Sequence, residues 1–168
     1  MKALHFPHFL SLTLLAVAAT AAHSAPLPAN LVGKWAMTTI SGTTYWDKST
    51  GAYAGSGGGG AQTYTFSRDG RYKLFNLIKT NSYGWETQAL TWEEGTVALK
   101  GDTLTLRPTS GRYQVMDNRV RKNNYTRPMR ATERKVSVLF WKQDTQDGKP
   151  VLRLGRSRDG LLEFKKQP

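Results

Sequence analysis

Cysteine is absent from the 168 residues, and the only histidines, His5, His8 and His23, fall within the first two dozen positions. Without cysteine there are no disulfides, thiolate nucleophiles or thiolate metal sites. The histidines share their stretch with Lys2, an apolar run from Phe9 to Ala19 and small residues up to Ala25, the layout of a secretory signal peptide. The run is about eleven residues long, short of the roughly 20 that a spanning helix needs. A cut between Ser24 and Ala25 sets Ala22 and Ser24 at the two small-residue positions and keeps Pro26 off the first mature position. Residues 1–24 therefore read as a signal peptide and 25–168 as a single exported domain, periplasmic or secreted. That domain lacks His as well as Cys, which removes Ser-His-Asp triads, histidine bases and ordinary zinc, copper or haem sites. No metal or cofactor is expected, and the core must hold in an oxidising compartment without covalent help.

Negative charge is scarce too. From Ala25 onward the chain carries 23 basic and 12 acidic residues, a net +11. The excess is concentrated, because residues 112–135 hold eight basic residues against two acidic ones. Arg112, Arg119, Arg121, Lys122, Arg127 and Arg130 are the candidate anion-binding patch. Arginine forks suit phosphate, sulfate and carboxylate, so outside the cytoplasm the partner implied is anionic lipid or acidic polysaccharide rather than nucleic acid. The competing reading is a solvated basic surface. A strand over 118–125 would put Arg119, Arg121 and Asn123 on one face.

Turn signals recur at short intervals, at Arg68-Asp69-Gly70, Lys100-Gly101-Asp102, Asp147-Gly148-Lys149 and Arg158-Asp159-Gly160. Between them the apolar residues alternate, as in Trp35/Met37, Tyr64/Phe66, Leu104/Leu106 and Val136/Val138/Phe140. This pattern predicts strands near 33–40, 61–67, 71–80, 83–94, 96–99, 103–107, 112–116, 118–125, 134–143, 150–154 and 161–166, with a helical turn possible only in 127–133. So many short hairpin-linked strands predict an all-β domain, either a single antiparallel up-and-down β-barrel, closed or half-open, or a two-sheet sandwich. Residues 41–60, with Tyr45, Trp46, Tyr53 and the glycines Gly57 to Gly60, read as a long flexible loop with an aromatic-bearing flap as its functional version; no Gly-Lys-Ser/Thr follows, so it is not a phosphate loop.

The opening Gly33-Lys34-Trp35 resembles the Gly-x-Trp of lipocalins and their calycin relatives. Tyr64-Thr65-Phe66 with Asp69-Gly70 and Tyr72, then Trp85, Glu94-Gly95-Thr96-Val97, Gly101 to Leu106 with Pro108, and Asn123-Asn124-Tyr125 with Pro128 resemble the lipocalin-like domains of bacterial exported proteins. The resemblance covers nearly all of the chain after the leader and implies a barrel with no established enzyme activity. It implies that Gly33 and Trp35 close one barrel end, with Arg153 or Arg156 stacked on the Trp35 ring. The Thr-Asp-Tyr of the sixth-to-seventh-strand turn of lipocalins has no counterpart here.

An eight-stranded barrel is either filled by its own side chains or holds one small ligand. Tyr64, Tyr72, Tyr83, Trp85, Trp92 and Tyr113 are the candidate lining of an open mouth taking a small apolar or amphipathic ligand; the alternative is that they are core. No catalytic residue is assigned. Glu86, Glu93 and Glu94 are the acids of the strand-rich half without a turn role, and Glu93 and Glu94, as strand neighbours, should face opposite sides. The expected function is non-enzymatic ligand binding, the alternative an interaction protein that uses its basic face on anionic envelope material or inhibits a partner enzyme.

Overall fold

The computed structural model describes residues 26–40, 44–46 and 53–168. The expected signal peptide, the Ala25 start and parts of the 41–60 connection lie outside them. Eleven strands are described: β1 Gly33–Thr38, β2 Thr44–Trp46, β3 Tyr53–Ser56, β4 Gly59–Phe66, β5 Arg71–Ser82, β6 Trp85–Lys100, β7 Thr103–Asp117, β8 Tyr125–Pro128, β9 Ser137–Gln146, β10 Lys149–Gly155 and β11 Leu162–Gln167. Among the described residues no helix is long and apolar enough to cross a membrane.

Following the antiparallel pairings from β1 through β4, β5, β6, β7, β9, β10 and β11 leads back to β1, so eight strands close a ring. The ring is the expected antiparallel barrel, and it is uneven. β7 pairs with β9 along Thr103 to Leu106 and with β8 along Arg112 to Val115, so the upper part of the sheet leaves the ring. Within 41–60, β2 and β3 pair as a separate ribbon, and Gly59 and Gly60 begin β4 rather than ending a loop. Gly59, at φ +151°, lies so close to β1 that a Cβ would come 2.5 Å from the Thr39 carbonyl oxygen.

A bulge explains why β6 and β7 are each one long strand where the pattern predicts two. Glu94 faces Ser110 and Gly95 faces Pro108, leaving Thr109 as the extra residue. A Cβ at Gly95 would stand 2.1 Å from the Arg107 carbonyl oxygen, so glycine alone fits. Bulges bend and twist a strand pair without ending it. On one side of this one β7 pairs with β9 in the ring; on the other β7 leaves β9 and takes β8 on its edge. Strand β5 stays on β4 as far as Lys79, so that β7, β8 and the end of the β5–β6 hairpin form a projecting sheet.

The predicted strand over 118–125 is not formed. Instead a 3-10 turn spans Arg121–Asn123 and β8 starts at Tyr125. The Asp117 carboxylate takes the N–H groups of Arg119 and Val120 at 2.9 and 2.6 Å, turning the chain out of β7. The helical turn anticipated in 127–133 is a 3-10 turn at Ala131–Glu133.

The core runs through Trp35, Phe66, Tyr72, Val97, Leu104, Leu106, Leu152, Leu154 and Phe164, all on inward positions of their strands, and Leu27 and Leu31 fold across one end. There the Trp35 indole N–H donates to the Leu31 carbonyl at 2.8 Å, and the Leu27 N–H donates to Arg68. The cation over the Trp35 ring is Lys166, at 5.4 Å, rather than Arg153 or Arg156. Register explains this: Lys166 stands opposite Trp35 across β1 and β11, whereas Arg153 stands opposite Glu163 and reaches Glu163 and Asp144 at 3.7 and 3.5 Å. Gly33, at φ +128°, leaves room for the Lys166 stem, which would lie 3.2 Å from a Cβ.

Trp35→Ala should cost roughly 3–5 kcal/mol in urea unfolding, because it opens a cavity and orphans the Leu31 carbonyl. Lys166→Ala, which removes one exposed cation–π contact, should cost about 0.5–1 kcal/mol.

Candidate functional site

Away from the Trp35 end the barrel opens into a cavity of about 440 Å³. Leu74, Leu106, Leu139, Leu154, Leu162 and Phe164 supply its apolar wall, and Gln62, Tyr64, Glu93, Ser137, Arg156 and Ser157 its polar groups. Period-two alternation puts Gln62, Tyr64 and Phe66 on the inward side of β4, with Leu74 opposite Tyr64 and Glu93 opposite Leu74. Tyr64 sits edge-on to Phe164 at 5.5 Å, making the floor. The loop after β10 forms the rim. It is held by Arg158, which pairs with Asp102 at 2.8 Å and covers Phe140 at 5.0 Å.

Glu93 is the charged acceptor of this cavity. Tyr72, buried below it, donates its hydroxyl to Glu93 Oε1 at 2.5 Å. Among the described residues no Lys or Arg lies within ion-pair reach of Glu93; Lys73 pairs instead with Glu94 on the outer face at 3.1 Å. Burial pushes the Tyr64 hydroxyl up to about 12, reinforced by the Glu93 charge. Burial also raises the Tyr72 hydroxyl, followed by its hydrogen bond to Glu93. Both therefore stay protonated donors at neutral pH. Tyr64 makes no hydrogen bond among the described residues and lines the cavity. The cavity thus offers a partly desolvated carboxylate and a neutral hydroxyl against leucine walls, an arrangement suited to an apolar body carrying a donor group.

The six aromatics predicted to line one mouth are not brought together. Tyr64 lines the cavity, and Tyr72 lies beneath it as the support of Glu93. Trp92 stands on the outer face, between Phe75 at 5.5 Å and Arg112 at 4.1 Å. Tyr113 lies on the other face of the projecting sheet under Arg127, at 4.9 Å. Tyr83 and Trp85 form the tip of the β5–β6 hairpin. The reason is parity: Phe75 and Trp92 are adjacent to the inward Leu74 and Glu93, so they point out, and the hairpin tip lies beyond the ring.

The predicted basic patch is divided in the same way. Arg127 makes a two-pronged pair with Glu133, both bonds 2.8 Å, and this pair holds the Glu133 carboxyl at about 2. Arg130 caps the turn through its backbone N–H to Glu133, and Arg112 is occupied by Trp92. Arg119, Arg121 and Lys122 remain together in the loop beside the hairpin tip. The three acids do not converge either: Glu86 pairs with Lys79 at 2.7 Å, Glu94 faces out and Glu93 faces in. Gln62 and Ser137 are cavity residues that the sequence pattern did not single out, and Arg156, expected over the Trp35 ring, lines the cavity instead. Glu93 and its inward direction would have followed from extending the alternation of Val97 along β6 through Gly95.

Asp117 organises the tip and is the buried charged residue among those described. It accepts from Trp85 Nε1 at 2.9 Å and Thr87 Oγ1 at 2.9 Å in addition to the two backbone N–H groups. These bonds, that of Val120 foremost, hold its carboxyl at about 2. No protein family, curated protein or solved structure matches the chain.

Because the folded-state value of Asp117 lies below that of an unfolded aspartate, about 3.9, its stabilisation is fully present above that value and is lost as pH falls toward 2. Asp117→Asn should lower the urea midpoint at pH 7, and the gap from the wild type should close between about pH 4 and pH 2. The Arg127–Glu133 pair titrates in both proteins and cancels in the difference.

Proposed function

We propose that the protein is an exported, lipocalin-like binding protein that holds a small amphipathic ligand in the barrel cavity and catalyses no reaction. The observation that carries this reading is the pairing of a leucine-walled space of about 440 Å³ with a carboxylate, Glu93, that has no ion-pair partner among the described residues. Cavities of several hundred Å³ with few polar groups suit small ligands. The ligand's apolar body would lie on Leu106, Leu139, Leu154 and Phe164, and its donor group would meet Glu93 and the Tyr64 hydroxyl. Burying about 200 Å² of apolar ligand surface contributes roughly 5 kcal/mol before the cost of association. Glu93 adds specificity, because a ligand lacking the donor desolvates the carboxylate and leaves it with the Tyr72 hydroxyl as its donor. The dispersal of the basic residues makes the cavity the better supported of the two expected sites.

Native mass spectrometry of protein purified gently from its own export compartment should show an added mass that disappears on denaturation. Ser137→Trp, which fills the cavity from one wall, should abolish it while leaving the circular dichroism of the barrel intact. Glu93→Gln should weaken binding by about 1.5–3 kcal/mol, the range for hydrogen bonds to charged groups. A wild-type protein that never carries an added mass, and gains none from an extract of its compartment, would sink the reading.

A further inference from the structure

The tip of the β5–β6 hairpin has a composition that folding alone does not explain. Ser82 pairs with Trp85, so Tyr83 and Gly84 form a two-residue turn, with φ of +49° and +73°. Such turns favour asparagine, aspartate or glycine. A bulky aromatic at positive φ is unfavourable, and here it gains little from packing, since Tyr83 is 73% exposed and Trp85, two residues on, is 44% exposed. Backbone strain of this kind at an exposed position points to function.

The aromatics are held outward by a built scaffold. The Trp85 indole N–H is fixed on the Asp117 carboxylate, and Asn118 Nδ2 donates to the Gly84 carbonyl at 2.8 Å. Arg119 donates to the Tyr83 carbonyl at 3.1 Å and covers the Trp85 ring at 5.8 Å. The same loop continues into Arg121 and Lys122, both exposed. Of the two nearby acids, Glu86 is paired with Lys79 and Asp117 stands as a single negative charge against Arg119, Arg121 and Lys122, so the loop stays net positive. A cleft of about 360 Å³ between Asn81 and Arg119 adjoins the aromatic pair.

We infer that this tip docks the protein on an anionic lipid bilayer. Tyr83 and Trp85 would enter the headgroup region, where amphipathic rings are favoured. Arg119, Arg121 and Lys122 would meet the negative surface. Two facts select a bilayer over a soluble polyanion: the exposed ring pair, which a polyanion in water does not need, and its place at the end of a projecting sheet. The inference is independent of the barrel cavity, which lies elsewhere in the molecule.

Flotation with vesicles tests it. The exported protein should float with phosphatidylcholine vesicles containing phosphatidylglycerol, stay behind with phosphatidylcholine alone, and detach as salt is raised. Each basic side chain at an anionic surface strengthens binding roughly fivefold, so Arg121→Glu with Lys122→Glu should weaken flotation by more than about tenfold. Tyr83→Asn, which suits the turn better and so should fold at least as stably, should weaken flotation severalfold while leaving retention on immobilised heparin unchanged. The inference is overturned if the wild type does not float, if it floats equally with neutral vesicles, or if Tyr83→Asn floats like the wild type; the last result would make the tip a general polyanion site.

Discussion

A ring of eight strands has two open ends, and an interior can hold a ligand only if one of them is sealed. Trp35 does this. Its ring fills the end of the barrel, but its indole N–H would be a costly orphan there without the Leu31 carbonyl, 2.8 Å away. That bond explains why residues 27–32 fold back under the barrel, bringing Leu27 and Leu31 into the core, and why Gly33 must turn the chain at positive φ into β1. Lys166 closes over the remaining edge. With no disulfide in the chain, this noncovalent plug bears much of the task of keeping the ring closed.

The second constraint is the Glu94/Gly95 bulge. By adding Thr109 it resets the alternation of β7, so that Gly111 and Tyr113 share the face of Leu104 and Leu106, while Glu93 keeps the plain alternation of β6 with Val97 and faces the cavity. Beyond the bulge β7 is no longer paired with β9, and β5 leaves β4 after Lys79, so the ends of these strands extend past the ring. The same strand, β6, therefore carries the charged group of the proposed binding site and, at its start, the hairpin tip with Tyr83 and Trp85. The two proposed surfaces share a scaffold without sharing residues.

The fold was legible in the sequence where local chemistry decides it. Turn residues and period-two alternation marked most of the strands to within a few residues and gave the barrel class. Non-local effects stayed hidden. Two predicted pairs of strands are single strands because the bulge at Gly95 and Thr109 bends the β6–β7 pair without ending it. Residues 118–125 alternate like a strand, but the Asp117 side chain outcompetes the sheet for their backbone N–H groups. Trp35 was identified as a plug, yet its cation came from cross-strand register, which set Lys166 rather than Arg153 opposite it. Aromatic content suggested a single mouth, whereas parity sent Trp92 outward and kept only Tyr64 in the cavity wall. The cavity's leucines and Glu93 are spread over β5, β6, β7, β9, β10 and β11, and only the closure of the ring brings them together.

The central claim, a barrel plugged at Trp35 and able to hold a ligand at its other end, is tested most directly by methyl NMR of the leucine-labelled protein, stripped of bound material and then titrated with an organic extract of the cells that make it. The account predicts shifts at Leu74, Leu106, Leu139 and Leu154, with Leu77 and Leu90 on the outer face unmoved. Shifts at Leu77 and Leu90 alone, or none at the four cavity leucines, would contradict it.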